Sequence, residues 1–104
     1  MERYAWKATV KPGMLDEYRR RHQQIWPEMK VMLKEAGISN YSIWNTGNEL
    51  FGYYECQSAA KASEIQAASE VNARWDNYMK DVMVMERDPE TGAQPHLAPV
   101  WYFA

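Results

Sequence analysis

A chain of 104 residues with 25% charged side chains and a net charge of −2 has the make-up of one water-soluble domain, residues 1–104, around a single hydrophobic core. The one basic run, Arg19-Arg20-Arg21, has acidic residues on both sides, so nothing draws a polyanion and nucleic acid is excluded as a partner. No stretch approaches the ~18 apolar residues of a membrane span, and Glu2, Arg3 and Lys7 leave no apolar leader at the N-terminus.

Cys56 is the single cysteine, which offers neither a disulfide framework nor a thiolate metal site, and a reducing, cytoplasmic setting is expected. Aromatic residues are 13% of the chain and five of them are Trp. A domain this small hides only some of them in its own core, so the remainder call for a subunit interface or a ligand.

In chain order, ERYAWKATV alternates Tyr4, Trp6, Ala8 and Val10 against Arg3, Ala5, Lys7 and Thr9, the pattern of a half-buried strand. Lys11-Pro12-Gly13 ends it. From Met14 the period becomes helical, with Met14, Tyr18, His22, Ile25, Met29, Met32, Leu33 and Ala36 on one stripe. Pro27 has no N–H and disfavours the helical region for Trp26, so a break is expected at Gln24–Trp26 with Pro27 restarting the helix. Gly37 then terminates it.

Ile38–Asn45 alternates again, Thr46-Gly47-Asn48 reads as a hairpin turn, and Leu50–Gln57 returns as the second arm. Ser58 caps a helix over Ala59–Ala68. Ser69 caps a continuation, SEVNARWDNYMKDVM, with Val71, Trp75, Tyr78, Met79 and Val82 on one face. MERDPETGAQPH is a loop by its Pro and Gly content. Leu97–Phe103 is expected as the closing strand, with Pro99 tolerated only at an edge or bulge.

The order is βαββαβ, an α+β, ferredoxin-like arrangement of a four-stranded antiparallel sheet with helices on one face. Both faces of the strands carry large side chains. A homodimer packed sheet to sheet, an α/β barrel built across two chains, is therefore expected.

Two features carry chemistry. In EYRRRHQQIWPEM, His22 shares a helical face with Tyr18 at i, i+4 spacing, and the break one turn later opens space beside them. A lone helical histidine is more often a satisfied, partly buried residue than a reactive one. Even so, a group that titrates near neutrality is the natural one for moving protons at cytoplasmic pH. In RWDNYM, Trp75 and Tyr78 read first as helix core, yet Arg74, Asp76 and Asn77 around them combine stacking with hydrogen bonding, the pairing by which sugars are held. Tyr41 is a strand residue that either fills the core or points a phenol into a cavity. No HxH, HExxH or carboxylate cluster accompanies His22, and no Gly-rich phosphate loop is present, so no metal or cofactor is expected.

These stretches, with the NYSIW segment from Asn40, RWDNYMKDVM from Arg74 and the aromatic C-terminus, resemble the L-rhamnose mutarotase family nearly end to end. The combination of EYxxRH with IWPE is the most specific part. The resemblance implies a small dimeric, ferredoxin-like enzyme that interconverts the α and β anomers of L-rhamnose without metal or cofactor. It places the family's proton-donating histidine on His22 and its sugar-contacting tyrosines on Tyr18 and Tyr41. The family's helical Trp-Trp pair falls on Trp75 and, with a change of chemistry, on Asp76. Asp76 then either hydrogen-bonds a hydroxyl or faces solvent while another aromatic completes the wall. Preference between L-rhamnose and relatives such as L-fucose is left open by that change.

Two other readings fit the fold. Dimeric ferredoxin-like barrels also host cofactor-free monooxygenases and haem-degrading enzymes, and a non-catalytic sugar-binding or dimerisation module would use the same aromatic cavity.

Overall fold

The alternation at the N-terminus folds as it reads. In the computed structural model, which describes residues 1–84 and 95–104, β1 spans Glu2–Val10 and buries Trp6, Ala8 and Val10 on one side. The chain continues through α1 (Leu15–Gln23), α2 (Pro27–Glu35), β2 (Ser39–Thr46), β3 (Glu49–Cys56), α3 (Ala59–Ala68), α4 (Glu70–Met79) and β4 (Met83–Val84). The strands pair antiparallel in the order β2-β3-β1-β4, which is the ferredoxin-like order with each helical segment broken in two.

Both breaks have a local cause. Trp26 is extended at φ −62°, ψ 139°, and Pro27 takes the first turn of α2, where its missing N–H leaves no helical bond unmade. At the second break Ser69 ends α3, and its hydroxyl accepts from the Asn72 N–H at 3.1 Å to start α4. Gly37 and Gly47 adopt positive φ, 76° and 57°, at the end of α2 and in the β2–β3 turn.

The core lies between the helices and the sheet face that carries Trp6, Ala8, Val10, Leu50 and Tyr54, closed from the helical side by Met29, Met32, Trp75 and Met79. Leu50, Met79, Val10 and Val82 are fully enclosed, each worth about 1.5–3 kcal/mol of apolar burial. By alternation the opposite sheet face carries Lys7, Trp44, Phe51 and Tyr53.

The C-terminus departs from expectation. SEVNARWDNYMKDVM is not helical throughout: α4 stops at Met79, and Met83–Val84 turns back to pair with Val10 and Thr9. The expected strand over Leu97–Phe103 does not form. Instead, Pro95 and Leu97 bracket a single bridge between Trp6 and His96, with Lys7 N–H donating to the Pro95 carbonyl and Leu97 N–H to that of Ala5. Pro99 has no N–H to carry the ladder further. Beyond it Val100, Trp101 and Phe103 are exposed, and Tyr102 lies under the Arg3 guanidinium, 3.6 Å from ring centre. Most of the expected loop MERDPETGAQPH, residues 85–94, lies outside the described residues.

Candidate active site

The α1 stripe sets the centre of the site. Tyr18 is buried, and the ring of His22 one turn later lies 4.3 Å from it, centroid to centroid. His22 Nδ1 is 3.1 Å from the Tyr18 carbonyl oxygen. A carbonyl only accepts, so Nδ1 carries the hydrogen and donates it, leaving the lone pair of neutral His22 on Nε2. Burial holds the His22 pKa below its ordinary value, partly offset by that carbonyl. The imidazole is therefore neutral at pH 7, with a basic nitrogen to offer.

The break at Pro27 gives this side of the site its wall. It releases Trp26 from the helix so that its ring meets Trp75 edge-on at 5.1 Å and stacks on Tyr78 at 5.5 Å. Trp75 in turn presents an edge-to-face contact to His22 at 5.4 Å. Trp75 is buried among aromatics, as the core reading has it, and it also lines the cleft. Tyr78 is half turned to solvent, with the Arg21 guanidinium 4.4 Å over its ring.

Arg21 clamps α1 to the end of α4. Its guanidinium donates to both oxygens of Asp81, at 2.8 and 3.0 Å, to the Tyr78 carbonyl at 2.8 Å and to Glu17 at 2.8 Å. The fork geometry of arginine is what allows four bonds from one side chain. Arg20 and Arg21, by their hydrogen bonds, hold the Glu17 carboxyl down at about 2. Of the run Arg19-Arg20-Arg21, Arg21 is the member that ties two elements together by pairing with carboxylates.

The sheet supplies the other wall. An extra residue between Ser39 and Ser42 bulges β2 against β3, with Asn40 at φ 48° in the left-handed region that Asn tolerates. Tyr41 emerges from the bulge toward the helices, and its hydroxyl accepts from Trp6 Nε1–H at 2.9 Å. The Tyr41 ring lies 5.2 Å from Tyr54, Tyr54 5.0 Å from Tyr4, and Tyr4 5.9 Å from His96. These rings run across the sheet as one aromatic course. His96 takes part in it as a packing partner of Tyr4.

The two walls enclose a cleft of about 850 Å³ that brings Tyr18, His22, Tyr41, Trp75 and Asp76 together, within the range of small-molecule sites. Asp76 is half-buried on α4, and its negative charge is felt by the Tyr41 phenol. Burial raises the pKa of Tyr18 and of Tyr41 well above the ordinary phenol value; Tyr41 adds to the effect on Tyr18, and Tyr54, Tyr4 and Asp76 add to that on Tyr41, against the lowering hydrogen bond from Trp6. Both hydroxyls stay protonated at any working pH. Among the described residues no three His, Cys, Asp or Glu side chains gather as a metal ligand set, and no helix is long and apolar enough to cross a membrane.

Tyr18, His22, Tyr41, Trp75 and Asp76 all line the cleft, whereas Arg74, Asn77 and Tyr78 of the same RWDNYM segment lie outside its lining and are exposed. Three participants are not evident in the sequence: Trp6, which holds Tyr41; Trp26, which backs Trp75; and Tyr54, which flanks Tyr41. The β1 alternation does place Tyr4 and Trp6 on one face, but nothing local ties Trp6 to a residue 35 positions away.

Fold and site together define a ferredoxin-like α+β domain with an aromatic cleft that holds a half-buried histidine and an aspartate. A family model for L-rhamnose mutarotase matches residues 3–103. The chain is 42% identical to an L-rhamnose mutarotase of Pectobacterium carotovorum over 98% of both chains. Identity is also 42% to that of Oceanobacillus iheyensis, over 85% of this chain and 86% of the relative. The crystal structure of an L-rhamnose mutarotase from Formosa agariphila superposes with a TM-score of 0.82 at 31% identity, covering all of both chains. This chain belongs to the L-rhamnose mutarotase family.

Proposed function

We propose that the protein catalyses exchange between the α and β anomers of L-rhamnose, with His22 as the group that moves the proton. The observation that carries this reading is the orientation of His22. Its Nδ1–H is committed to the Tyr18 carbonyl, which leaves the lone pair on Nε2 of a residue that lines a cleft together with phenols and an indole.

Mutarotation needs a proton taken from the anomeric hydroxyl and one delivered to the ring oxygen. In this account Nε2 accepts the O1 proton as the C1–O1 bond gains double-bond character and the C1–O5 bond breaks. The imidazolium so formed returns the proton to O5, giving the open-chain aldehyde. Rotation about C1–C2 turns the other face of the carbonyl to O5. The steps then run in reverse: Nε2 takes the O5 proton as O5 attacks C1, and hands it to O1. No net proton or electron is consumed, and one histidine serves as base and acid in turn.

Tyr18 and Tyr41, held protonated by burial, donate hydrogen bonds to sugar oxygens as charge shifts between O1 and O5. Trp75 stacks on the apolar C–H face of the ring, and Asp76 accepts from a hydroxyl. The other face of the sheet is assigned to a second copy of the chain, forming a homodimer. The uncovered Trp44 and the exposed Trp101 and Phe103 support this assignment. A reducing cytoplasm, proposed as the setting, suits the buried free thiol of Cys56.

Saturation-transfer NMR on equilibrated sugar tests the reading. L-Rhamnose is expected to show faster exchange between its anomeric protons with protein than without, and L-fucose in a parallel sample ranks the second sugar. No acceleration with either sugar would overturn the proposal.

A further inference from the structure

Trp6 and Gly52 are register partners across β1 and β3. Gly52 is buried with ordinary backbone angles, and a Cβ built there would fall 1.9 Å from Cε2 and 2.2 Å from Nε1 of Trp6. The indole therefore occupies the space that any side chain at position 52 would need. Glycine here serves the close approach of a ring rather than a turn.

Seated in that space, Trp6 reaches Tyr41, which shares the helix-facing side of β2 with Ile43 and sits within the bulge. Asn40 holds the bulge from its far side, its amide donating to Glu55 at 2.7 Å, while Glu55 also accepts from the Tyr53 hydroxyl at 2.9 Å. With the strand so pinned, Tyr41 Oη lies 2.9 Å from Trp6 Nε1. An indole N–H only donates, whereas a phenol has one proton to give and two lone pairs to receive with. Trp6 fills an acceptor position on Tyr41 and cannot take its proton. The Tyr41 proton is thereby left for an acceptor on the cleft side.

We propose that Trp6, seated by the missing side chain at Gly52, is a positioning residue that fixes the Tyr41 hydroxyl as a hydrogen-bond donor to a sugar oxygen in the cleft. The proposal rests on the mutarotase reading and adds to it a residue outside the groups that face the sugar. The effect is also electronic: the indole's hydrogen bond pulls the Tyr41 pKa down against the burial that raises it, which makes the phenol a stronger donor. Without the indole, Tyr41 is free to rotate its proton toward the protein and meet the sugar as an acceptor.

Trp6→Phe keeps an aromatic side chain and deletes the N–H. Measured by saturation transfer at saturating L-rhamnose, it is expected to lower kcat about three- to tenfold, the scale of one neutral hydrogen bond, with KM changed less. The double variant Trp6→Phe/Tyr41→Phe is expected to be no slower than Tyr41→Phe alone, because both deletions remove one donated bond.

A second readout does not depend on turnover. The Trp6 indole 1H–15N resonance of the unmutated protein is expected to move when L-rhamnose fills the site, and in Tyr41→Phe. A fully active Trp6→Phe beside an active parent protein would overturn the positioning role alone, as would losses that multiply in the double variant. An indole resonance unmoved by sugar and by Tyr41→Phe would also overturn it. A parent protein without activity would overturn the mutarotase reading, and this proposal with it.

Discussion

The Nδ1–H of His22 donates to the carbonyl of Tyr18, 3.1 Å away and one helical turn earlier, and this bond decides which ring nitrogen keeps its lone pair. It fixes the tautomer and leaves the lone pair of the neutral ring on Nε2. Burial adds the second condition by keeping the ring neutral.

The pH dependence follows from the direction of that shift. Catalysis as proposed starts from neutral His22, so the exchange rate holds near pH 7 and falls as pH drops through the folded-state pKa, which lies below the ordinary value of 6.5. Stability moves the same way. Because the folded pKa is depressed, the unfolded chain binds the proton more readily, and stability present above pH 6.5 is lost as pH falls through the folded value. The Tm of His22→Asn is expected to vary less between pH 7 and pH 5 than that of the unmutated protein, as thermal melts in matched buffers would show.

Gly52→Ala places a methyl group on the Trp6 ring, where 1.9 Å is available. Relief requires the indole or the β1–β3 pairing to move, and overpacking of this kind costs about 1–3 kcal/mol. The Tm is expected to fall by at least ~4 °C in a domain of this size. In a Trp6→Leu background the same alanine should cost much less, a coupling that thermal melts of the four proteins measure.

Arg21→Lys keeps the charge and loses the fork. A lysine cannot bond both Asp81 oxygens, the Tyr78 carbonyl and Glu17 from one position, so α1 is released from the end of α4. Anomer exchange is expected to slow several-fold, because the near-edge contact between His22 and Trp75 depends on the spacing of those helices. The Tm should fall by about 4–8 °C. A variant with unchanged kinetics and Tm would show that the clamp is dispensable.

Much of this arrangement is legible in the sequence because it rests on local rules. Pro27 announces the break between α1 and α2, Gly37 and Thr46-Gly47-Asn48 announce their turns, and the Tyr18–His22 spacing puts both rings on one face. What is not legible depends on partners distant in the chain. Alternation with Ile43 puts Tyr41 on the helix-facing side of β2, but the bulge at Asn40 exists only against β3, and the bond from Trp6 joins residues on two different strands. The C-terminus misleads for a related reason. Leu97–Phe103 has strand-like composition, but the edge of β1 is already met by Met83–Val84 and by residues 95–97, and Pro99 stops the ladder. Asp76 was open to either side of α4, and packing around Trp75 brings it to the cleft.

The central claim is that His22 moves the proton, and the most direct measurement is saturation-transfer NMR on L-rhamnose with the unmutated protein and with His22→Asn. Asparagine retains a polar side chain of comparable reach but cannot cycle a proton, so the account predicts enhanced anomer exchange that falls by about 10²–10⁴-fold in the variant, with the Tm at pH 7.5 little changed. A folded His22→Asn protein that exchanges the anomers at the full rate would contradict it.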